Sequence, residues 1–249
     1  MSTAFEPLSF EPGYRRVASA IAARILDRTL RDGDPLPSEV ELAAQFAVNR
    51  STVREALREL ESANLVARRR GTKRMVVSRP AATQLAGRIG HALALNDVTV
   101  REVWETLELL EPSTAEAAAR QATPQALAAI RAAVEAYGAD HATARAAVGG
   151  VAEFFRAVAA ASGNRVLVLT QEPLLMLLAA ALEVIIDRAP PARGRIAVAQ
   201  HAVLAAIEAG DAATARSWMA KHVRDFRRGF EISGIDLDTP VPVPAPAAD

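Results

Sequence analysis

The 249-residue sequence has no cysteine, few aromatic residues and no long uninterrupted apolar run. Without cysteine there is no disulfide framework, no thiolate metal site and no cysteine nucleophile. The longest apolar stretch, residues 173–186, contains Glu183 and is shorter than the roughly 18 to 20 residues that span a membrane. The first residues show no basic segment followed by an apolar core, so no secretory signal is predicted. These absences indicate a cytoplasmic protein.

Composition and charge favour two domains of different character. A chain of this length accommodates two domains of ordinary size, and 51% apolar residues with 4% aromatics suit packed helices. The formal net charge is zero, yet residues 13–79 hold 14 Arg or Lys against 8 Asp or Glu, whereas residues 80–249 hold 15 against 19. A small basic domain beside a larger acidic one is typical of a nucleic-acid reader with a separate regulatory domain.

The basic part contains a predicted helix-turn-helix. Ser38 and Glu41 have the spacing of a capping box at the start of the first helix. The short link at residues 47–48 allows only a tight turn before a second helix, which Asn49 is expected to cap with its side chain. The second helix buries Val53, Ala56, Leu57 and Leu60 on one side, and it leaves Arg50, Ser51, Thr52, Arg54 and Arg58 outside or at the rim.

A basic β-hairpin follows the second helix. Residues 65–69 and 74–78 predict two short strands, and Gly71 supplies the positive φ that the turn between them requires. Five of the seven residues from 68 to 74 are Arg or Lys. The alternative is a small α/β domain that happens to be basic and has no role in DNA binding. The order of elements favours instead a winged helix-turn-helix, whose hairpin reaches DNA beside the groove that the helix enters.

The stretch LPSEVELAAQFAVNRSTVREALRELESANLVARRRGTKRMVV resembles the winged helix-turn-helix of the GntR family of bacterial transcription regulators, from about residue 14 to 78. The resemblance implies a homodimer that binds double-stranded operator DNA with one recognition helix per half-site. It places DNA contacts at Ser38, Asn49, Arg50, Ser51, Thr52 and Arg54, and in the wing at Arg70, Gly71, Thr72 and Lys73. Many relatives carry an arginine that contacts DNA where this chain has Val40, so one contact is expected to be missing.

The rest of the chain predicts helices only, so the expected fold class is mainly α. Helices are expected at residues 14–31, 99–120, 124–137, 141–161, 171–188, 193–209 and 212–232, with Pro112 at a kink in the second of these. The predicted organisation is a flexible arm (1–12), a winged helix-turn-helix domain (13–79), a linker (80–98), a helical effector-binding and dimerisation domain (99–235) and a disordered tail (236–249).

Two stretches, residues 154–164 and 200–211, resemble the FadR-like subgroup, whose helical domain is of the FCD type. In that subgroup an Asp and three His usually hold a divalent metal, and small carboxylate effectors bind at or near it. The resemblance places His201 and His222 at two of the ligand positions, but Val151 and Phe155 at the Asp and the first His. Leu107 corresponds to an arginine that often binds the effector carboxylate. We therefore expect no metal, no cofactor and a more apolar pocket.

Two interpretations of this pocket remain open from the sequence. In the first, a more hydrophobic or aromatic effector lies beside Leu107, Val151 and Phe155, and His201 and His222 bind its polar end. In the second, side chains fill the cavity and the domain only dimerises. The two histidines can also be hydrogen-bonded core residues. Equally, the sequence leaves open whether the two tryptophans, Trp104 and Trp218, belong to the core or to a pocket wall.

Three classes of function follow from these observations. The leading hypothesis is a DNA-binding repressor whose operator affinity responds to a small molecule. The second is an effector-independent DNA-binding protein. The third is an enzyme, because a histidine pair in a helical domain suggests a metal hydrolase. The sequence offers no third ligand and no nucleophile with a neighbouring base, so we expect no catalytic activity.

Overall fold

The computed structural model describes residues 11–69, 71, 72, 74–80, 82–138, 143–189 and 191–242. Within these residues the chain forms ten helices and two strands: α1 (Gly13–Leu26), α2 (Glu39–Phe46), α3 (Arg50–Ser62), β1 (Val66–Arg68), β2 (Met75–Val77), α4 (Ala82–Leu95), α5 (Val100–Gln121), α6 (Pro124–Gly138), α7 (Ala144–Ala161), α8 (Arg165–Arg188), α9 (Pro191–Glu208) and α10 (Ala212–Ile232). They separate into two compact units, Met1–Ala81 and Ala82–Asp249. The predicted class, a winged helix-turn-helix followed by an all-helical domain, is confirmed.

The first unit is a three-helix domain with its own core. The predicted stripe of α3 is buried and packs against α1. The capping box is formed, because Ser38 Oγ accepts from the Glu41 N–H at 3.3 Å and Glu41 Oε2 accepts from the Ser38 N–H at 2.7 Å. Asn49 stands at the start of α3 but makes no side-chain capping bond, which corrects the prediction. The first helix ends at Leu26 rather than near residue 31.

The wing is an antiparallel hairpin held by a third segment of chain. Val66 pairs with Val77 in the register of β1 and β2. Residues 33–36 lie along the other edge of β2, where Leu36 N–H donates to Met75 O at 2.9 Å. Gly71 has φ of +77°, as the tight turn requires. β2 is therefore bonded to β1 along one edge and to the segment between α1 and α2 along the other.

The second unit is a helical bundle with one continuous apolar core. Five of its helices begin at residues whose side-chain oxygen accepts a backbone N–H of the first turn. These cap residues are Thr99, Thr123, Thr143, Asn164 and Asp211. The helix α5 runs through Pro112, which is buried within it. The predicted start of α7 at residue 141 lies outside the described residues.

By length and composition, α8 is the one helix in the described part of the chain that is apolar enough to cross a membrane. Of its most apolar 18-residue window, 56% is buried inside the bundle. The helix begins at Arg165, six residues before the predicted start, because Asn164 caps it and Pro173 is tolerated inside it. α4 occupies much of the predicted linker and packs against α8.

Residues 236–242 are ordered, which corrects the prediction that the whole segment 236–249 is disordered. Leu237 and Val241 are buried, and Val241 N–H donates to Val98 O at 2.8 Å. Arg101 N–H donates to Leu237 O at 2.9 Å, and its side chain pairs with Asp238 at 2.7 Å. The start of α5 has free N–H groups that need acceptors, and this segment supplies them.

We predict that Gly229→Ala destabilises the protein although alanine is the better helix former. A Cβ at Gly229 of α10 would lie 2.8 Å from Ile185 Cγ2 of α8, and Ile185 is buried and cannot move aside freely. Overpacking of this kind costs about 1–3 kcal/mol. Gly149→Ala is the matched control, because a Cβ at that position meets nothing within 4 Å. This substitution should stabilise the protein by up to about 1 kcal/mol. If the two substitutions changed the free energy of unfolding in urea by the same amount, the close contact between α8 and α10 would be contradicted.

Candidate functional site

The outer face of α3 presents polar side chains to solvent at its N-terminal end. Arg50, Ser51 and Arg54 are exposed, and Arg58 follows one turn later. Thr52 is only half-buried, and its methyl group faces Gly13, because a Cβ on that glycine would lie 3.5 Å from Thr52 Cγ2. Three arginines spaced about one turn apart, Arg50, Arg54 and Arg58, therefore form one line on α3, next to the exposed Glu55 and Glu59.

A carboxylate from α2 holds one of these arginines. Arg54 donates to Glu39 Oε2 through Nη2 at 3.0 Å and through Nε at 3.4 Å. The side chains are 53% and 33% exposed, so the pair contributes little to stability. The hydrogen bond from Arg54 lowers the pKa of Glu39. Glu39 occupies this place because the Ser38 cap fixes the first turn of α2 beside the start of α3.

A cleft of about 420 Å³ lies between α2, α3 and the wing. Its charged lining consists of five arginines, from α3 and the wing, and two glutamates, Glu39 and Glu61. The arginines are Arg50, Arg54, Arg58, Arg68 and Arg74. Val40 lines the same cleft and is 55% exposed. The charge and position of this cleft suit a phosphate backbone and the base edges beside it.

The predicted wing contacts are only partly described by the structure. Arg70 and Lys73 lie outside the described residues. Thr72 Oγ1 donates to Arg69 O at 3.2 Å and accepts from Arg74 N–H at 3.3 Å, so this side chain shapes the turn. Ser38 is exposed, with its hydroxyl in the capping box, and Asn49 is exposed at the start of α3.

The five predicted effector residues are not all brought together. Leu107, Val151, Phe155 and His222 are all 1% exposed or less. His201 is exposed on α9, and its Nδ1 is 2.8 Å from Ala197 O of its own helix. A helix turns by about 100° per residue, so the inward position belongs to its neighbour Gln200, which is fully buried. The expected pair of His201 and His222 is not formed.

His222 lies among aromatic rings. The ring stacks on Phe155 with centroids 5.4 Å apart and an interplanar angle of 11°, and it also contacts Phe154 and Phe226. Neither ring nitrogen has a hydrogen-bond partner. Burial lowers the pKa of His222 to about 4, so the imidazole is neutral at physiological pH.

Three further polar side chains, Glu111, Gln171 and Gln200, are buried in the same core. Glu111 Oε1 accepts from Gln171 Nε2 at 2.7 Å, and the same amide lies 3.3 Å from Phe155 O. Glu111 Oε2 and both side-chain polar atoms of Gln200 have no partner. Burial raises the pKa of Glu111 to about 8. Sequence patterns missed Glu111 and Gln200, which occupy inward positions of otherwise amphipathic helices.

The residues present do not fit the metal site of FadR-like relatives. Among the described residues, no group of three or more His, Cys, Asp or Glu side chains is placed to hold a metal ion. Val151 and Phe155 offer no donor atom, and the rings around His222 offer none either. We assign no metal to this site.

Val151 borders a cleft of about 390 Å³ between α7 and α8. Apolar side chains line most of it, and the Arg156–Glu172 ion pair, with Nη2 to Oε1 at 2.7 Å, lies at one end. Trp104 belongs to the core, where its Nε1–H donates to Val223 O at 2.9 Å. Trp218 is half-buried and lines a different cleft, between α9 and α10.

Comparison with known proteins gives matches to both units. The model for bacterial regulatory proteins of the gntR family matches residues 13–76, and the model for the FCD domain matches residues 102–225. An uncharacterized HTH-type transcriptional regulator of Mycobacterium tuberculosis is 31% identical over 167 residues, which are 67% of this chain and 68% of that protein. A GntR structure from Streptococcus agalactiae aligns over 86% of this chain and 99% of its own, with a TM-score of 0.64 and 26% identity.

Two other relatives match over shorter segments. The probable transcriptional regulator PhnF of Escherichia coli is 38% identical over 80 residues, so the alignment spans about a third of each protein. The histidine utilization repressor of Klebsiella aerogenes is 43% identical over 60 residues, 24% of this chain and 25% of the repressor.

We predict that Arg50→Ala and Arg54→Ala each abolish sequence-specific DNA binding at moderate salt without unfolding the protein. Both side chains are exposed at the N-terminal end of α3, the end of the second helix that enters the major groove in helix-turn-helix proteins. Loss of a bidentate base contact costs roughly 1–3 kcal/mol. A target sequence selected from random DNA provides the substrate for footprinting. Arg228→Ala, an exposed arginine of α10, is the control. Unchanged protection by either α3 variant would refute the assignment.

We predict that the stability of the wild-type protein falls between pH 6.5 and 8.5, and that Glu111→Gln abolishes this fall. The native state keeps the Glu111 proton up to about pH 8, whereas the unfolded chain releases it near its ordinary pKa of 4.5. The native state therefore binds more protons in this range, and wild-type stability falls as pH rises. The window lies above the titration of His222.

Urea unfolding at several pH values measures this difference, which should be about 1–2 kcal/mol across the window. Glu105→Gln, an exposed glutamate on the same helix, should leave the pH profile unchanged. A wild-type profile that matches that of Glu111→Gln would show that Glu111 is hydrated in solution.

Proposed function

The chain belongs to the GntR family of bacterial regulatory proteins and carries an FCD domain, and from this membership we propose that it is a cytoplasmic repressor whose operator affinity is set by a small-molecule effector. It is a transcription regulator. Beyond transcription regulation, we propose that the protein represses, that it responds to an effector, and that it forms a homodimer with one α3 in each half-site. The relatives named above are transcription regulators as well, and we propose no catalytic activity.

The DNA half of the proposal is supported by the arginine-lined cleft beside α3. Phosphate contacts from the wing and α2 would fix the register, while Arg50 and Arg54 reach base edges. Ser38, Asn49, Ser51 and Thr52 belong to this proposed contact surface. So do Gly71, Thr72 and the undescribed side chains of Arg70 and Lys73. Because Val40 cannot bind phosphate or a base acceptor, we expect the operator to differ from that of relatives with arginine there.

The effector half is supported by the polar atoms that lack partners inside the helical unit. Roughly 90% or more of buried polar groups in folded proteins are hydrogen-bonded, and leaving one unsatisfied costs about 1–3 kcal/mol. His222 and Gln200 each leave two such atoms, and Glu111 leaves one. We propose that a small molecule with an apolar or aromatic body and a polar end supplies these partners. It would lie beside Phe155, Val151 and Leu107.

The close packing around these residues supports a second function, in which the domain only dimerises. Leu107, Val151 and Phe155 are already covered by protein atoms. An effector at this place must therefore select a more open arrangement of α5, α7 and α10. Without such an arrangement the unit would be a rigid dimerisation domain, and operator affinity would not respond to small molecules.

We predict that Gln200→Leu and His222→Leu separate these two functions. Operator binding is measured for each protein against a panel of small aromatic acids, alcohols and amides. If an effector binds here, at least one compound lowers wild-type operator affinity, and both variants lose that response while they still bind operator alone. His201→Leu is the control on the outer face of α9 and should respond like wild type.

The opposite outcome supports the dimerisation function. In that case no compound changes wild-type affinity. Both leucine variants would then be more stable than wild type, because each removes a buried polar group that had no partner. Thermal unfolding of the same three variants measures this difference.

A further inference from the structure

The outer surface between α9 and α10 carries a cleft of about 360 Å³ that is separate from the interior polar residues. The α9 side contributes Pro191, Gly194, Arg195, Val198 and Ala199, and the α10 side contributes Trp218, Lys221 and Asp225. On α10 these three residues recur at helical spacing and so form one stripe. The volume is within the range of small-molecule sites in proteins, roughly 300–1,000 Å³.

The cleft combines an aromatic wall with two cations. Lys221 Nζ stands 4.4 Å from the centroid of the Trp218 ring, a cation–π distance. Arg195 Nε is buried and has no hydrogen-bond partner. A buried guanidinium N–H without an acceptor is unfavourable, and an acceptor supplied by a ligand would satisfy it.

The charges of the cleft favour a single negative charge on the ligand. Arg195 and Lys221 provide two positive charges and Asp225 provides one negative charge. The first turn of α9 borders the cleft, and the N-terminal end of a helix adds partial positive charge.

The apolar lining favours a flat body for the same ligand. Trp218 is half-buried and offers an indole surface, and Val198, 62% exposed, forms an apolar rim on the facing helix. Planar rings stack on an indole with centroids about 4.5–7 Å apart. We infer that this cleft binds an aromatic monocarboxylate, with its ring against Trp218 and its carboxylate between Arg195 and Lys221.

The two tryptophans provide a direct measurement on the intact protein. Each has one indole N–H, so a nitrogen-15 labelled sample gives two indole signals, which Trp218→Phe assigns. Benzoate should shift the Trp218 signal saturably and leave Trp104, buried and bonded to Val223 O, in place. Benzamide keeps the ring without the charge, and cyclohexanecarboxylate keeps the charge without the flat ring. Each should bind at least tenfold more weakly than benzoate.

Substitutions of the two cations test their role in binding. Lys221→Met should weaken benzoate binding about tenfold, and Lys221→Arg should restore most of it. Arg224→Met is the control, an exposed cation on α10 that does not line the cleft. Arg195→Met should weaken binding as well. If it unfolds, the Lys221 and Trp218 variants still decide the outcome.

Several results would overturn the inference. If benzamide bound as tightly as benzoate, Arg195 and Lys221 would have no role in recognising a carboxylate. Benzoate affinity unchanged in Trp218→Phe and Trp218→Leu, measured by calorimetry, would place the ligand elsewhere. A shift of Trp104 alone would point to the interior. The proposed effector site is not needed for this test, because Gln200→Leu and His222→Leu should both keep the Trp218 response.

Discussion

The packing of α10 against α5 is the contact on which the helical unit depends. It is the most extensive contact between any two of its described helices, and polar bonds fix its register as well as apolar burial. Trp104 of α5 donates to a backbone carbonyl of α10, and Arg227 of α10 lies over the same indole at 5.5 Å. At the other end Arg216 bonds to Glu116 at 2.8 Å. Because α10 is fixed on α5, His222 must face the ring of Phe155 rather than solvent.

Much of the fold could be predicted because helix starts depend on local chemistry. Ser38 with Glu41, Thr99 ahead of α5 and Asp211 ahead of α10 each satisfy free N–H groups within three residues, so no tertiary information is needed. The same holds for the turn at Gly71. The exposure of Arg50, Arg54 and Arg58 follows as well, because these are positions that remain when the apolar stripe of α3 is assigned to the core.

The interior of the helical unit could not be predicted in the same way. An error of one residue in helix phase rotates a side chain by about 100°, and this is the difference between His201 and Gln200. Residues 236–242 are ordered because their carbonyl groups accept hydrogen bonds from the first N–H groups of α5, which lie more than 130 positions earlier in the sequence. Buried polar groups such as Glu111 look like ordinary surface positions in a sequence, because their burial is a property of the bundle.

The Glu39–Arg54 pair has a consequence for how the protein searches DNA. Attraction to any sequence comes from phosphates and grows with the number of free cations on the reading face. Glu39 cancels part of the charge of Arg54 and adds a group that phosphates repel. On the proposed DNA-contact surface Arg54 would therefore contribute little to nonspecific binding, while acceptors on a matching base could use its remaining N–H groups. If Arg54 reads bases as proposed, the ion pair would lower overall DNA affinity and speed dissociation from nonspecific sites.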